Sequence, residues 1–244
     1  MARPVVKIAL TALAISAVSF GATGLLIACN VVSGLPLQES WAWGDLPRCP
    51  DGIGDNTDQA SRKFAWSGGG LQLAVPGRLR QRAEGQGSVT IHGPAGVLDH
   101  VEIEEGRIRF DCSFRGNTPE LEIDMVADNV TDFAVQGSGD MILEGLDEER
   151  VRISIAGSGS VRATGRVDRV ELSIAGSGDA DLGGLSAEDV KVSIAGSGDA
   201  IVAPEDRLEV SIAGSGDVRL MTDPEDVTSS VFGSGRIIGP ARTN

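Results

Sequence analysis

From Phe133 onward, apolar residues occupy every second position in short runs, and the runs recur with a Gly-Ser-Gly tripeptide. That tripeptide begins at Gly137, Gly157, Gly176, Gly196, Gly214 and Gly233, in steps of 18 to 20 residues. Two positions before each one lie Val135, Ile155, Ile174, Ile194, Ile212 and Val231. Two further back lie Phe133, Ile153, Leu172, Val192 and Val210, with Ser229 closing the series. Period-two spacing puts both sets on one face of a strand. Between them, facing out, fall Ser154, Ser173, Ser193, Ser211 and Ser230. After the tripeptide, Met141, Val161, Ala180, Ala200, Val218 and Ile237 are followed by a second set that includes Leu143, Leu182, Val202 and Leu220. Turn geometry decides which of these two sets faces inward. Repetition at this period predicts a solenoid. Strands stacked at roughly 4.8 Å would line up like residues into ladders, and six coils would stand roughly 29 Å tall. The glycines allow each coil to bend at the same place. The predicted fold is all-β: a single-stranded parallel β-helix, right-handed by the general rule for parallel crossovers.

Upstream, the alternation is shorter and less regular. Leu71, Leu73 and Val75 run up to Pro76-Gly77, and pairs follow at Val89 and Ile91, Val101 and Ile103, Ile108 and Phe110, and Leu121 and Ile123. Gly, Pro or Asn bounds each run, and no stretch after residue 30 sustains a helical period. Residues 62–130 therefore read as an irregular β first half, 131–239 as the regular repeat and 240–244 as a tail. This first half is expected to cap one end of the solenoid, with Gly239-Pro240 stopping the other.

Residues 1–29 begin with Arg3 and Lys7 and continue in an uncharged apolar run from Ile8 to Ile27. This is the layout of an export signal, long enough to serve also as a membrane anchor. Leu26-Ile27-Ala28-Cys29 resembles a bacterial lipobox, so lipidation at Cys29, ordinary cleavage and an uncleaved anchor all stand as outcomes. Each places the domain outside the cytoplasm, in the cell envelope or on its surface. Residues 30–61, rich in turn formers and carrying Trp41 and Trp43, read as a linker whose indoles rest at a membrane interface or on the base of the domain. If Cys29 carries lipid, Cys49 and Cys112 remain as an even pair, for which a disulfide is the default in an oxidising compartment and two free thiols the alternative.

Charge removes one class of partner. With 21 basic and 35 acidic residues the net charge is −14, a surface that repels phosphate backbones, so no nucleic-acid binding is expected. Aromatics make up 4% of the chain, and the repeat holds only Phe133 and Phe232, too few to build a stacking groove for sugar rings. A column of Asp140, Ser160, Asp179, Asp199, Asp217 and Arg236 follows the tripeptides. Asp179, Asp199 and Asp217 are the metal candidates, as a calcium column. Against that, calcium-binding β-rolls repeat every nine residues and offer two facing carboxylate loops. An aspartate beside a glycine turn is also favoured for backbone hydrogen bonds alone. His92 and His100, with Asp99 adjacent, are the only histidines, and no nucleophile elbow, HExxH or P-loop accompanies them. No catalytic residues, cofactor or enzyme activity are assigned.

The VSIAGSGDV-type repeats, preceded by Leu71-Gln72-Leu73-Ala74-Val75-Pro76-Gly77 and by Ile103-Glu104-Glu105-Gly106-Arg107-Ile108-Arg109-Phe110, resemble the bacterial head GIN-domain family of autotransporter-adhesin type over residues 62–238. The resemblance implies a parallel β-helix, an envelope or surface location and a lipoprotein-type signal, and it supplies no catalytic residues. The expected function is a non-enzymatic surface or adhesion-type module. It would be held to the membrane through its N-terminus, bind a protein or glycan partner, and self-associate through exposed solenoid edges. The alternatives are a polysaccharide-acting enzyme and a calcium-dependent binding module.

Overall fold

The structure, a computed structural model, describes residues 46–53, 58–83, 85, 87–115 and 118–240. The export segment, Cys29, Trp41 and Trp43 lie outside the described residues. No helix among the described residues is long and apolar enough to cross a membrane.

The first half contains β1 (Gln59–Ala65), β2 (Gly70–Leu73), β3 (Gly77–Arg82), β4 (Ser88–Pro94), the single-turn helix α1 (Ala95–Leu98), β5 (Val101–Glu104), β6 (Arg107–Phe110) and β7 (Leu121–Val126). The repeat contains β8 (Asp132–Gly137), β9 (Asp140–Gly157), β10 (Ser160–Gly176), β11 (Asp179–Gly196), β12 (Ala200–Gly214), β13 (Val218–Leu220), β14 (Asp226–Gly233) and β15 (Ile237–Ile238). The predicted parallel solenoid is present, and the six tripeptides stack in a single column.

Register is one-to-one along the strand that leads into each tripeptide: Ile153 lies opposite Leu172, and Ile155 opposite Ile174. Variation in repeat length is absorbed elsewhere. The pairing slips at the second corner of each coil, at Ala163/Gly165 between β10 and β9, and at Leu182/Ser186 between β11 and β12. The apolar ladder thus stays in line while the solvent-side corner takes up the extra residues. Both sets that follow the tripeptide point inward, since residues two apart share a face. Met141 is 1% exposed and Leu143 fully buried. Each well-buried Ile or Leu in these ladders contributes about 1.5–3 kcal/mol by burial.

The first half is more solenoidal than its sequence suggests, and its spatial order departs from chain order. β2 lies parallel between β6 and β8, and β3 lies parallel between β7 and β9. β2 and β3 are thus a rung of the same tube, inserted between segments that follow them in the chain. Pro76-Gly77 replaces the tripeptide at its corner: Gly77 has φ +134°, and a side chain there would overlap the backbone of Leu121. To rejoin the stack, the chain after β7 must cross this rung. Gln81, a buried polar side chain, donates from Nε2 to the carbonyl of Ala127 at 2.8 Å, and the Ala127 amide returns a bond to Arg82 at 3.1 Å. Asn129, at φ +57°, turns the crossing segment.

Beyond this rung, antiparallel strands close the end. β4 pairs with β7, and β1 with β4, while β5 folds back on β6. α1 adds Val97 and Leu98 to the same core. The Cys49–Cys112 disulfide is formed, and the Cys49 amide donates to the carbonyl of Ser113 at 3.0 Å. The entering chain is therefore fixed to this closed end.

Candidate functional site

Each tripeptide is fixed by the rung before it. The Ser177 amide donates to the Gly157 carbonyl at 2.9 Å, and Ser158, Ser197, Ser215 and Ser234 repeat the bond along the column. A Cβ on Gly176 would collide with that same Gly157 carbonyl, and Gly176 already stands at φ +124°. The third position is equally tight: a Cβ on Gly178 would strike the Gly159 carbonyl and the side chain of Ile155. The tripeptide is therefore a backbone-on-backbone stack, and its glycines are structural.

The aspartates that follow are engaged in the same column. Asp179 Oδ1 accepts the Asp199 amide at 3.0 Å, Asp199 Oδ1 accepts the Asp217 amide at 2.7 Å, and Asp217 Oδ1 accepts the Arg236 amide at 2.9 Å. One rung earlier in the column, the Ser160 hydroxyl donates to Asp140 at 2.6 Å. The sequence pointed to backbone bonding at these positions; the structure adds that the amide comes from the following rung. Arg236, which ends the series, also places its guanidinium 2.5 Å from Asp217. That hydrogen bond, before any other influence, holds the Asp217 carboxyl below the usual carboxylate value.

Ion pairs cross the rungs on the outer surface. Arg152 bridges Asp132 at 2.6 Å and Glu171 at 3.1 Å, Asp189 lies between Arg169 and Arg207, and Lys191 meets Glu209 at 2.8 Å. Partial burial pulls the Arg152 guanidinium down, but its bonds to Glu171 and Asp132 outweigh this and raise it. Beside these columns the outward serines form a flat strip in which like residues face like residues: Ser154, Ser173, Ser193, Ser211 and Ser230. A shallow groove at one edge is lined by Thr131, Asp132, Glu148, Glu149, Arg150 and Arg152.

His100 does not pair with its sequence neighbour Asp99. His100 Nδ1 lies 2.9 Å from Asp111, whereas Asp99 faces Arg62 at 3.5 Å. His92 Nε2 is 3.9 Å from Asp124, on a different strand. His100, Asp111 and Cys112 do lie close together, but the Cys112 sulfur is consumed in the disulfide and offers no thiolate. Among the described residues no other cluster of three such ligands occurs, so Asp179, Asp199 and Asp217 do not converge on one point.

The far end departs from expectation. Gly239-Pro240 follows β15, and all eight residues of β14 are exposed. Val227 and Val231 continue the inward ladders, yet they are 51% and 40% exposed because no rung lies beyond them among the described residues. Phe232, next to Val231 in the chain, is 57% exposed. Periodicity marks these valines as core; only the end of the stack exposes them.

No curated protein matches the chain by sequence. Among solved structures, it is similar to a putative adhesin from Bacteroides fragilis NCTC 9343, at 18% identity and a TM-score of 0.58, over 75% of this chain and 98% of that one. A putative adhesin from Parabacteroides merdae ATCC 43184 is similar at 17% identity and a TM-score of 0.50, over 76% and 98%. At such identities the likeness speaks for the shared fold. The model of the family described as "putative auto-transporter adhesin, head GIN domain" matches residues 96–224, from α1 through every complete repeat to the segment before β14. The chain belongs to this head GIN-domain family.

Proposed function

We propose that this protein is a non-enzymatic module of the bacterial cell envelope, held at its N-terminus and binding a protein or glycan partner through a lateral face. The observation that carries the proposal is the strip of Ser154, Ser173, Ser193 and Ser211, kept in register over successive rungs and flanked by ion-pair columns. A strip with fixed spacing offers repeated hydroxyl contacts to an extended ligand, and rigidity lowers the entropic cost of binding. Membership of an adhesin-type family supports the same reading and an extracytoplasmic location. The N-terminal hold is either a lipid on Cys29 or the apolar run before it. Mass analysis of a Cys29→Ala variant distinguishes them, since only a lipid would disappear.

The test of the module is binding of the purified protein to cells, matrix and envelope fractions. Ser173→Lys with Ser193→Lys should abolish retention while leaving the melting temperature unchanged. Retention that survives both changes would refute the lateral face as the site. Sugar release from a glycan panel would instead support the enzyme alternative. Heat and a raised melting temperature on adding Ca²⁺ would support a calcium module at Asp179, Asp199 and Asp217.

A further inference from the structure

The open rung is the part of the surface that neither the fold nor the lateral strip explains. Three of the four large exposed hydrophobics among the described residues, Val227, Val231 and Phe232, lie on β14. β14 pairs only with β12, and β15 only with β13, so the outer edge of this rung has no strand against it among the described residues. An apolar ladder and a free strand edge on one small surface form a template for another β-strand.

We propose that this rung docks onto the same rung of a second copy, tip to tip, with β14 antiparallel to β14 about a two-fold axis at Ser229. The strand is self-complementary in that register. Opposed residues in an antiparallel pair share a face, so inward side chains must meet inward side chains. Centring on Ser229 sets Val227 opposite Val231, Ser229 opposite its counterpart, and Thr228 opposite Ser230. The two apolar ladders then close on each other, and no charged pair falls in the middle of the strand. A slip by one residue would set inward Val227 against outward Phe232 and break the match. The opposite end cannot serve as the partner surface. Its outermost strand, β1, is antiparallel and carries exposed Arg62 and Lys63, charges that protect an edge. Association through the tip therefore stops at two copies and does not run on into a filament.

This inference rests on the reading of the chain as an anchored envelope module for its biological sense. The chain enters at the closed end, where Cys49 is bound to Cys112. Two copies joined at their tips thus have their entry points at the far ends of the pair, an arrangement suited to linking two surfaces.

Cysteine scanning of the full chain tests the register. Opposed Cα atoms in an antiparallel pair lie about 4.5–5.5 Å apart, within disulfide range. Ser229→Cys should give a covalent dimer on mild oxidation, whereas Ser193→Cys on the lateral strip should not. The purified protein should sediment as a dimer, and Val231→Asp should render it monomeric with the melting temperature of the diluted, monomeric wild type. Equal cross-linking at positions 229 and 193, a dimer that survives Val231→Asp, or cross-linking of Ser229→Cys to another protein or within its own chain would each overturn the proposal. Loss of dimers with lateral binding intact would remove only the tip contact. Loss of lateral binding with dimers intact would remove only the adhesive reading.

Discussion

Alanine substitutions in the tripeptide column separate two constraints that sequence alone cannot tell apart. Gly137 opens the column at φ +94°, and a Cβ there would meet nothing within 4 Å. Gly137→Ala therefore carries only the strain of a left-handed backbone, about 1–3 kcal/mol. Gly178 has no such φ, but its Cβ would press on the Gly159 carbonyl and on Ile155, an overpacking cost of about 1–3 kcal/mol. Gly176 suffers both effects. Its φ is +124°, and the Gly157 carbonyl in its way cannot retreat without releasing the Ser177 amide bonded to it at 2.9 Å. A lost buried backbone bond adds about 1–3 kcal/mol, which brings Gly176→Ala to about 2–6 kcal/mol. Against a typical domain stability of about 5–15 kcal/mol, that change alone should put a large share of the chain at risk of unfolding. Urea titration at constant m gives the differences directly. If Gly176→Ala matched Gly137→Ala within error, carbonyl exclusion would not be what keeps the column glycine.

Ile194→Ala, at a site 1% exposed between Ile174 and Ile212, should cost about 2–5 kcal/mol by the same titration. Val231→Ala, in the same ladder on the open rung, should cost less than about 0.5 kcal/mol, as exposed sites do, when measured at dilutions that keep the chain monomeric. Replacing Cys49 and Cys112 with Ser opens a loop with a sequence separation of 63 and should remove up to about 4 kcal/mol on the chain-entropy account. A melting temperature unmoved by reductant would refute that staple. The Asp217 carboxyl lies below its usual value because of the Arg236 hydrogen bond. A lowered value in the folded state stabilises above the ordinary carboxylate range, and the contribution is lost as pH falls through the lowered value. Amide exchange in β15 should therefore quicken on acidification below about pH 4, and Asp217→Asn should flatten that dependence.

The repeat was legible because every rung solves the same problem with the same residues. Ile155, Ile174, Ile194 and Ile212 announce the core by position alone, and the tripeptides announce the corner. Other features depend on what lies across space. The rung made by β2 and β3 turns at Pro76-Gly77 and neighbours segments far along the chain, so no periodicity reveals it. The aspartate column reads as local turn chemistry, since the accepted amide comes from the next rung, about 19 residues later. Val227 and Val231 carry the same pattern as buried valines, and only the absence of a further rung among the described residues distinguishes them. Cys49 and Cys112 were the exception: with Cys29 set aside as a lipidation site they were the pair left over, and their disulfide forms.

The inserted rung bears on the order in which the chain assembles. Each regular coil finds its neighbour one repeat away, whereas Arg78 in β3 awaits Asp140 in β9, and Gly70 in β2 awaits Asp132 in β8. β2 and β3 therefore close their pairings later than the regular coils do, since distant pairings close slowly. Assembly should begin in the carboxyl-terminal coils and reach the amino-terminal cap last, with the disulfide sealing it. Pulse-labelled amide exchange during refolding should protect Ile174 and Ile194 before Leu79; protection of Leu79 first would reverse that order.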